Sequence, residues 1–299
     1  MFKGRSIKWL LISMILLSGI SFGFSKIQLI DYKKINEGLF RKSIHYKYNL
    51  ELPESDVYQR IEKKSLIEDI FIVTSKENPN NSEPIIVINN KKVAFADLPG
   101  KIKEIQLSKD EIDAKFIIFF LHIHRDIKMS FINKLRKQLM DIGIWKVTYD
   151  VTPCNPKFDS RYYGDLGLSL RLPKLQSDSL DFQEIFEKYH KGRDIIKIKP
   201  LESGFCLFNE TLIESKDLKE KYKNQMIENQ NNIVKFYHNK NLDFSAYIRI
   251  ISDLLVVVHE LRDMYSINKY LKSYDMLSNY EEREMIRKKY PLLIFEMKD

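Results

Sequence analysis

Between Phe116 and Val151 the hydrophobic period changes twice, and this stretch narrows the possible folds more than any other. Residues 116–123 form an apolar run of the length of one strand. After the charged break His124-Arg125-Asp126 the period turns helical. Met129, Ile132, Leu135, Leu139 and Ile142 fall on one face, while Asn133, Lys134, Arg136 and Lys137 point elsewhere. Gly143 stands where a helix commonly ends in the left-handed conformation. Alternation then returns, with Val147, Tyr149 and Val151 on one face. Strand, amphipathic helix, glycine and strand make a βαβ unit, which implies a sheet with helices packed on it.

The chain has 299 residues, enough for about two domains, and its 44% hydrophobic content suffices for real cores. Its net charge of +8 comes from 49 basic and 41 acidic side chains. Such a balance suits an anionic partner such as a membrane surface or a cell-wall polymer. The basic residues are spread out and not gathered in one block, so solvated faces account for them equally well and no nucleic-acid partner is expected.

The N-terminus reads as an address. Lys3, Arg5 and Lys8 precede the uncharged run of residues 9–25, with small residues Ser21, Gly23 and Ser25 at a suitable cleavage position. The run also has the length of a single transmembrane anchor. Signal peptide and anchor both stay open, and in either case residues 1–26 address the rest of the chain to the far side of the membrane. Residues 27–47 read as a tether.

The exported part follows an order that occurs twice. YNLELPES (48–55) is an extended segment ending at a proline, and residues 57–66 are expected to be helical. DIFIVT (69–74) is a strand. Residues 85–88 are a second strand that turns at Asn89-Asn90, 93–95 is a third short extended piece, and Asp97 begins a helix reaching Leu107 before the βαβ unit. GLSLRLPKLQS (167–177) restates the LxLP segment, with Pro173 120 residues after Pro53. DIIKIK (194–199) restates the first strand. Asn209 and Asp217 repeat Asn89 and Asp97 at the same spacing of 120, and His238 falls near the place of His122. The boundaries implied are a first copy at 48–151, a linker at 152–166 and a second copy at 167–299. In the second copy the last amphipathic helix runs on from Phe244 to about Tyr270. A charged helix follows at 280–289, and only 292–295 is left to supply a closing strand.

Anchor-like segment, extended LxLP, strand, Asn hairpin, Asp-Leu helix and βαβ together resemble the periplasmic part of the ExbD/TolR family. The ending ISDLLVVVHELRDMYSINKYLKSYDMLSNYEEREMIRKKYP (251–291) is similar to the long form found in Bacteroidetes-type members, through Glu260-Leu261-Arg262, the Tyr274 region and the charged stretch before Pro291. The resemblance implies an α+β class: two tandem small α/β sandwich domains, each a sheet with helices on one face. It also implies a place at the bacterial inner membrane facing the periplasm, or in the periplasm if the leader is removed. The implied partners are ExbB/TolQ-like and TonB/TolA-like proteins, with peptidoglycan as a further one. The family's transmembrane helix carries an Asp used in proton coupling, whereas residues 9–25 hold no ionisable group and Asp31 lies outside them. A non-enzymatic accessory of an energy-transduction complex is therefore expected. The other reading is a free periplasmic binding module that has lost the motor role.

Chemical motifs are few. His122 and His124 form an HxH pair on one strand face, but no Cys or carboxylate at suitable spacing completes a metal site. Cys154 and Cys206 allow one disulfide in an oxidising compartment, against a plain buried thiol at Cys206. No phosphate loop, zinc-protease motif or nucleophile elbow occurs, so neither enzymatic activity nor a cofactor is expected. Trp145, Tyr162 and Tyr163 are expected to pack in cores.

Overall fold

A computed structural model describes residues 43–44, 46–61, 64–77, 83–154, 166–171, 186–201 and 204–298. The chain divides into two compact units, Met1–Lys47 and Tyr48–Asp299, and the elements named here belong to the second. The class is mixed α+β. In chain order the strands of the first half are β1 (Tyr48–Asn49), β2 (Glu54–Ser55), β3 (Gln59–Arg60), β4 (Ile67–Ser75), β5 (Ile85–Ile88), β6 (Lys91–Val93), β7 (Ile118–Ile123), β8 (Lys146–Asp150), β9 (Thr152–Pro153) and β10 (Leu166–Arg171). Its helices are α1 (Leu98–Leu107), α2 (Glu111–Ala114) and α3 (Met129–Asp141). The second half contributes β11 (Asp194–Pro200), β12 (Phe205–Phe208), β13 (Thr211–Glu214), α4 (Leu218–Glu228), β14 (Asn232–His238), α5 (Phe244–Tyr270), α6 (Tyr280–Lys289) and β15 (Ile294–Lys298).

One strand order occurs twice. The first sheet runs β8-β7-β4-β5-β6 and the second β15-β14-β11-β12-β13, with the same parallel and antiparallel pairings throughout. Both hairpins turn through two left-handed residues, Asn89-Asn90 and Asn209-Glu210, as a tight two-residue hairpin demands. Gly143 ends α3 with φ +86°, as its position suggests. Alternation then sorts the faces. Ile70, Ile72, Leu121, Ile123, Val147 and Tyr149 meet the helices, and so do Ile196, Ile198, Val234 and Phe236 in the second sheet, all within one continuous core.

Three expectations are revised. The described residues of 57–66 do not form the expected helix. The Ser55 hydroxyl bonds Val57 at both its N–H and its carbonyl, which starts an extended path into β3, and Lys64–Leu66 form a 3-10 turn. The segment opening at Gly167 does not begin the second sheet, because β10 pairs antiparallel with β8 and extends the first. The strand partners also shift the repeat register. Ile198 faces Phe236 as Ile70 faces Leu121, so Asp69 corresponds to Lys197 rather than to Asp194.

The long ending is tied back onto α5. Glu260 pairs with Lys219 (3.0 Å) and Lys223 (2.7 Å) of α4. Arg262 donates from Nε and Nη2 to the Tyr290 carbonyl (3.0 and 2.8 Å), and the Asp263 carboxylate accepts from the Tyr274 N–H (2.7 Å). These bonds return the chain from α6 so that β15 can close the sheet beside β14. The closing strand is Ile294–Lys298, which shares residues 294–295 with the apolar run that the sequence offers and ends three residues beyond it.

Candidate functional site: the seam between the halves

The loops that follow β7 and β14 meet across an approximate two-fold axis. Lys128 and Asp243 form an antiparallel bridge, and Lys128 Nζ lies 2.7 Å from the Asp243 carboxylate. The backbone bonds around it are reciprocal. Met129 N–H donates to the Leu242 carbonyl (2.8 Å) and Phe244 N–H to the Ile127 carbonyl (2.9 Å). Ser130 N–H donates to Lys240 (3.1 Å) and Ser245 N–H to Arg125 (2.9 Å). Each residue of the second loop stands 115 positions after its counterpart in the first, as Phe244 does after Met129.

Beneath this bridge lies a buried polar cluster built from both halves. Arg136 of α3 is 1% exposed and Glu296 of β15 5%. Arg136 Nη1 donates to Glu296 Oε2 (3.0 Å), and its Nε donates to the Tyr149 hydroxyl (3.0 Å). Tyr247 donates to Glu296 Oε1 (2.6 Å), and His238 Nε2 lies 3.2 Å from Glu296 Oε2. The guanidinium sits 4.4 Å from the centre of the Tyr247 ring. Burial alone would raise the Glu296 carboxyl, but the Arg136 charge and the bonds from His238 and Tyr247 outweigh it and hold it below the usual range. Burial likewise opposes the Arg136 charge, and its surroundings overcome that and hold the guanidinium firmly protonated. Arg136 Nη2 and His238 Nδ1 have no partner among the described residues.

The cluster is one-sided with respect to the axis. At the spacing of 115, Arg136 corresponds to Ile251, His238 to Ile123 and Tyr247 to Ile132. Tyr149 faces Leu121 as Glu296 faces Phe236, so the glutamate takes the place of a tyrosine. Ion pair and histidine thus occur on one side only.

His122 lies on the opposite face of the first sheet. Its Nδ1 is 2.6 Å from Asp150 and its Nε2 3.0 Å from Asp69, and its ring stacks on Phe71 at 4.2 Å. Burial would lower its pKa, but the two carboxylates outweigh burial and raise it. Its counterpart in the second half is Tyr237, and His238 takes the place of Ile123 on the other face. His124 lies one residue beyond the end of β7, and the two imidazoles have separate partners: Asp69 and Asp150 for His122, Asn49, Glu51 and Asp126 for His124. Among the described residues no group of three His, Cys, Asp or Glu side chains is placed to hold a metal ion.

Both thiols are free. Cys154 accepts from Arg249 Nη1 at 3.5 Å, while Cys206 is buried on β12, where burial pushes it up to about 11. Trp145 departs from its expected core position: it is 46% exposed on the rim of a shallow groove with Leu107, Lys109, Lys115 and Lys146. Tyr162 and Tyr163 lie outside the described residues, as do residues 1–26. Among the described residues no helix is long and apolar enough to cross a membrane.

Sequence reasoning missed Arg136 and Glu296. A signal existed: Arg136 directly follows Leu135 on an amphipathic helix, at the edge of its apolar stripe. Comparison with family models, with curated proteins and with solved structures finds no match to this chain.

Proposed function

We propose that this chain is a non-enzymatic, ExbD/TolR-like accessory of an envelope energy-transduction complex. In this reading two tandem domains fused on one chain, the first including β10 (Leu166–Arg171) and the second built on β11 to β15, act as a built-in pair. They work through protein contacts at the periplasmic side of the inner membrane, held there by residues 9–25. The observation that carries the reading is the reciprocal bonding of the two loops over the seam, between halves that share one strand order. A fused pair avoids the loss of translational freedom that separate chains suffer on meeting, a cost of several kcal/mol on most estimates. Arg262 of the ELR segment and the Tyr274 amide tie the long ending to α5.

Fold likeness alone does not give function, so the test addresses the partner. The full chain, carrying a C-terminal affinity tag, is cross-linked in membranes and its partners are identified. Capture of a channel-type ExbB/TolQ-like membrane protein with an intact Met1 is expected. A soluble chain starting near residue 26, with no such partner, overturns the proposal in favour of a free periplasmic module. With no carboxyl in residues 9–25, the chain is also expected not to replace an Asp-bearing subunit in a strain lacking it, since an intramembrane carboxyl is costly and kept for function.

A further inference from the structure

The segment from Tyr48 to Val57 has little regular structure of its own, yet it is fastened at nearly every second residue. Tyr48 and Asn49 pair with the end of β4. The Glu51 carbonyl accepts from Arg125 N–H (2.8 Å), the Pro53 carbonyl from Thr152 N–H (2.9 Å) and the Ser55 carbonyl from Cys154 N–H (3.3 Å). Further on, Asp56 N–H donates to the Ser252 hydroxyl of α5 (3.0 Å), which also lies 3.1 Å from the Ser55 hydroxyl. The segment is thus a strap that crosses from the loop after β7, part of the seam, onto a helix of the second half.

One fastening differs in kind. Glu51 N–H donates to His124 Nδ1 at 2.9 Å, and the His124 ring is 3% exposed. An imidazole nitrogen accepts only through a free lone pair, so this bond needs the neutral ring with its proton on Nε2. We propose that His124 is a proton-operated latch on the strap: the neutral ring holds the Glu51 amide over the seam, and a proton added at Nδ1 sets two donors face to face and releases it.

The surrounding groups fix the direction. From the strap, the Glu51 carboxylate and the Asn49 side-chain amide (3.4 Å from Nε2) face the ring. From its own loop come the Asp126 carboxylate, 3.4 Å from Nε2, and the Arg125 guanidinium. From β4, the Ile72 carbonyl accepts the His124 backbone N–H (2.9 Å). Burial is the largest influence and favours the neutral ring. Asp126 and Glu51 oppose it without overcoming it, so the pKa lies below the ordinary 6.5. The neutral ring's contribution is therefore complete above pH 6.5 and fades as the pH falls towards the folded-state value. Mild acid opens the latch.

The latch does not depend on the energy-transduction reading, and its test reads only the strap. Hydrogen exchange of the full chain is followed by mass spectrometry from about pH 7.5 to about pH 5.5, spanning the range in which a histidine titrates, with intrinsic exchange rates corrected. Protection of peptides covering 48–57 is expected to fall severalfold relative to peptides from β4. In His124→Asn, whose side-chain oxygen reaches the same amide without titrating, that step is expected to vanish. A strap whose protection ignores pH, or the same step in the variant, overturns the proposal. Exchange at the His124 ring C2 position of the unaltered chain gives a second measurement that needs no variant. A midpoint below 6.5 that coincides with the strap's step supports the latch, and a midpoint at or above 6.5 overturns it.

Discussion

Arg136 and Glu296 are a matched pair of buried charges, and removing either leaves the other stranded. Arg136→Met or Glu296→Leu alone is expected to cost about 3–5 kcal/mol of stability, because an unpaired buried charge is the dominant penalty. The double variant is expected to recover part of that loss, since it leaves no unpaired charge, although the Tyr149 and Tyr247 hydroxyls and His238 each lose a partner. Denaturant unfolding of the four proteins measures the cycle, and simple additivity of the two losses would show that the pair is not coupled. Asp253 offers a second test at this scale. It is 3% exposed, and burial raises its carboxyl to about 6 despite Arg249 at 3.6 Å. A carboxyl raised in the folded state favours folding while protonated, and that contribution is lost as the pH climbs from the unfolded value of 3.8 through about 6. Asp253→Asn is therefore expected to stabilise the protein at pH 7, on the order of 1–2 kcal/mol, and to leave it little changed at about pH 4, where the wild-type carboxyl is protonated. Equal effects at both pH values would contradict the assignment.

At the level of elements, Gly167 decides where β10 belongs. A Cβ there would lie 2.3 Å from Thr148 Cγ2 and 2.9 Å from Phe120 Cε2, so strand β10 can lie beside β8 only with glycine at this position. Gly167→Ala is expected to cost about 1–3 kcal/mol, as overpacking does, and to raise exchange in β8 and β10 before any change in β12 or β13. Loss of protection confined to the second sheet would return β10 to that half. The elements themselves were largely legible. Both helices of the repeat, the hairpin at Asn89-Asn90, and α5 and α6 at 244–270 and 280–289 follow from periodicity and turn chemistry, because their apolar faces are local patterns. What was not legible depends on pairing over long sequence distances. Residues 57–66 carry a helix-compatible composition that Ser55 and the β3–β10 pairing override. Residues 167–171 resemble the LxLP segment yet join the other sheet, since alternation specifies a face and not a neighbour. Arg136 reads as a solvated lysine-like position until β15, 160 residues later, brings Glu296 against it.

Among the described residues of Tyr48–Asp299, the helix-facing sides of both sheets contribute to one hydrophobic core, and Tyr149 of the first half meets Phe244 of the second edge-on at 5.3 Å. A shared core should unfold as a unit. Thermal unfolding of the full chain is expected to give one transition, coincident in near-ultraviolet circular dichroism and tryptophan fluorescence, and two separated transitions would mean two independent bodies. The one-sidedness of the polar cluster has a further consequence, for assembly and descent. A seam made from two identical chains would carry every charge twice, related by the axis. Here two copies of the first half would bring two Arg136 side chains together with Tyr149 and no glutamate. Two copies of the second would bury two Glu296 side chains opposite Ile251 with no arginine. Each homotypic pairing strands charge and only the heterotypic one satisfies it, so on the proposed reading of a built-in pair neither half could stand in for the other.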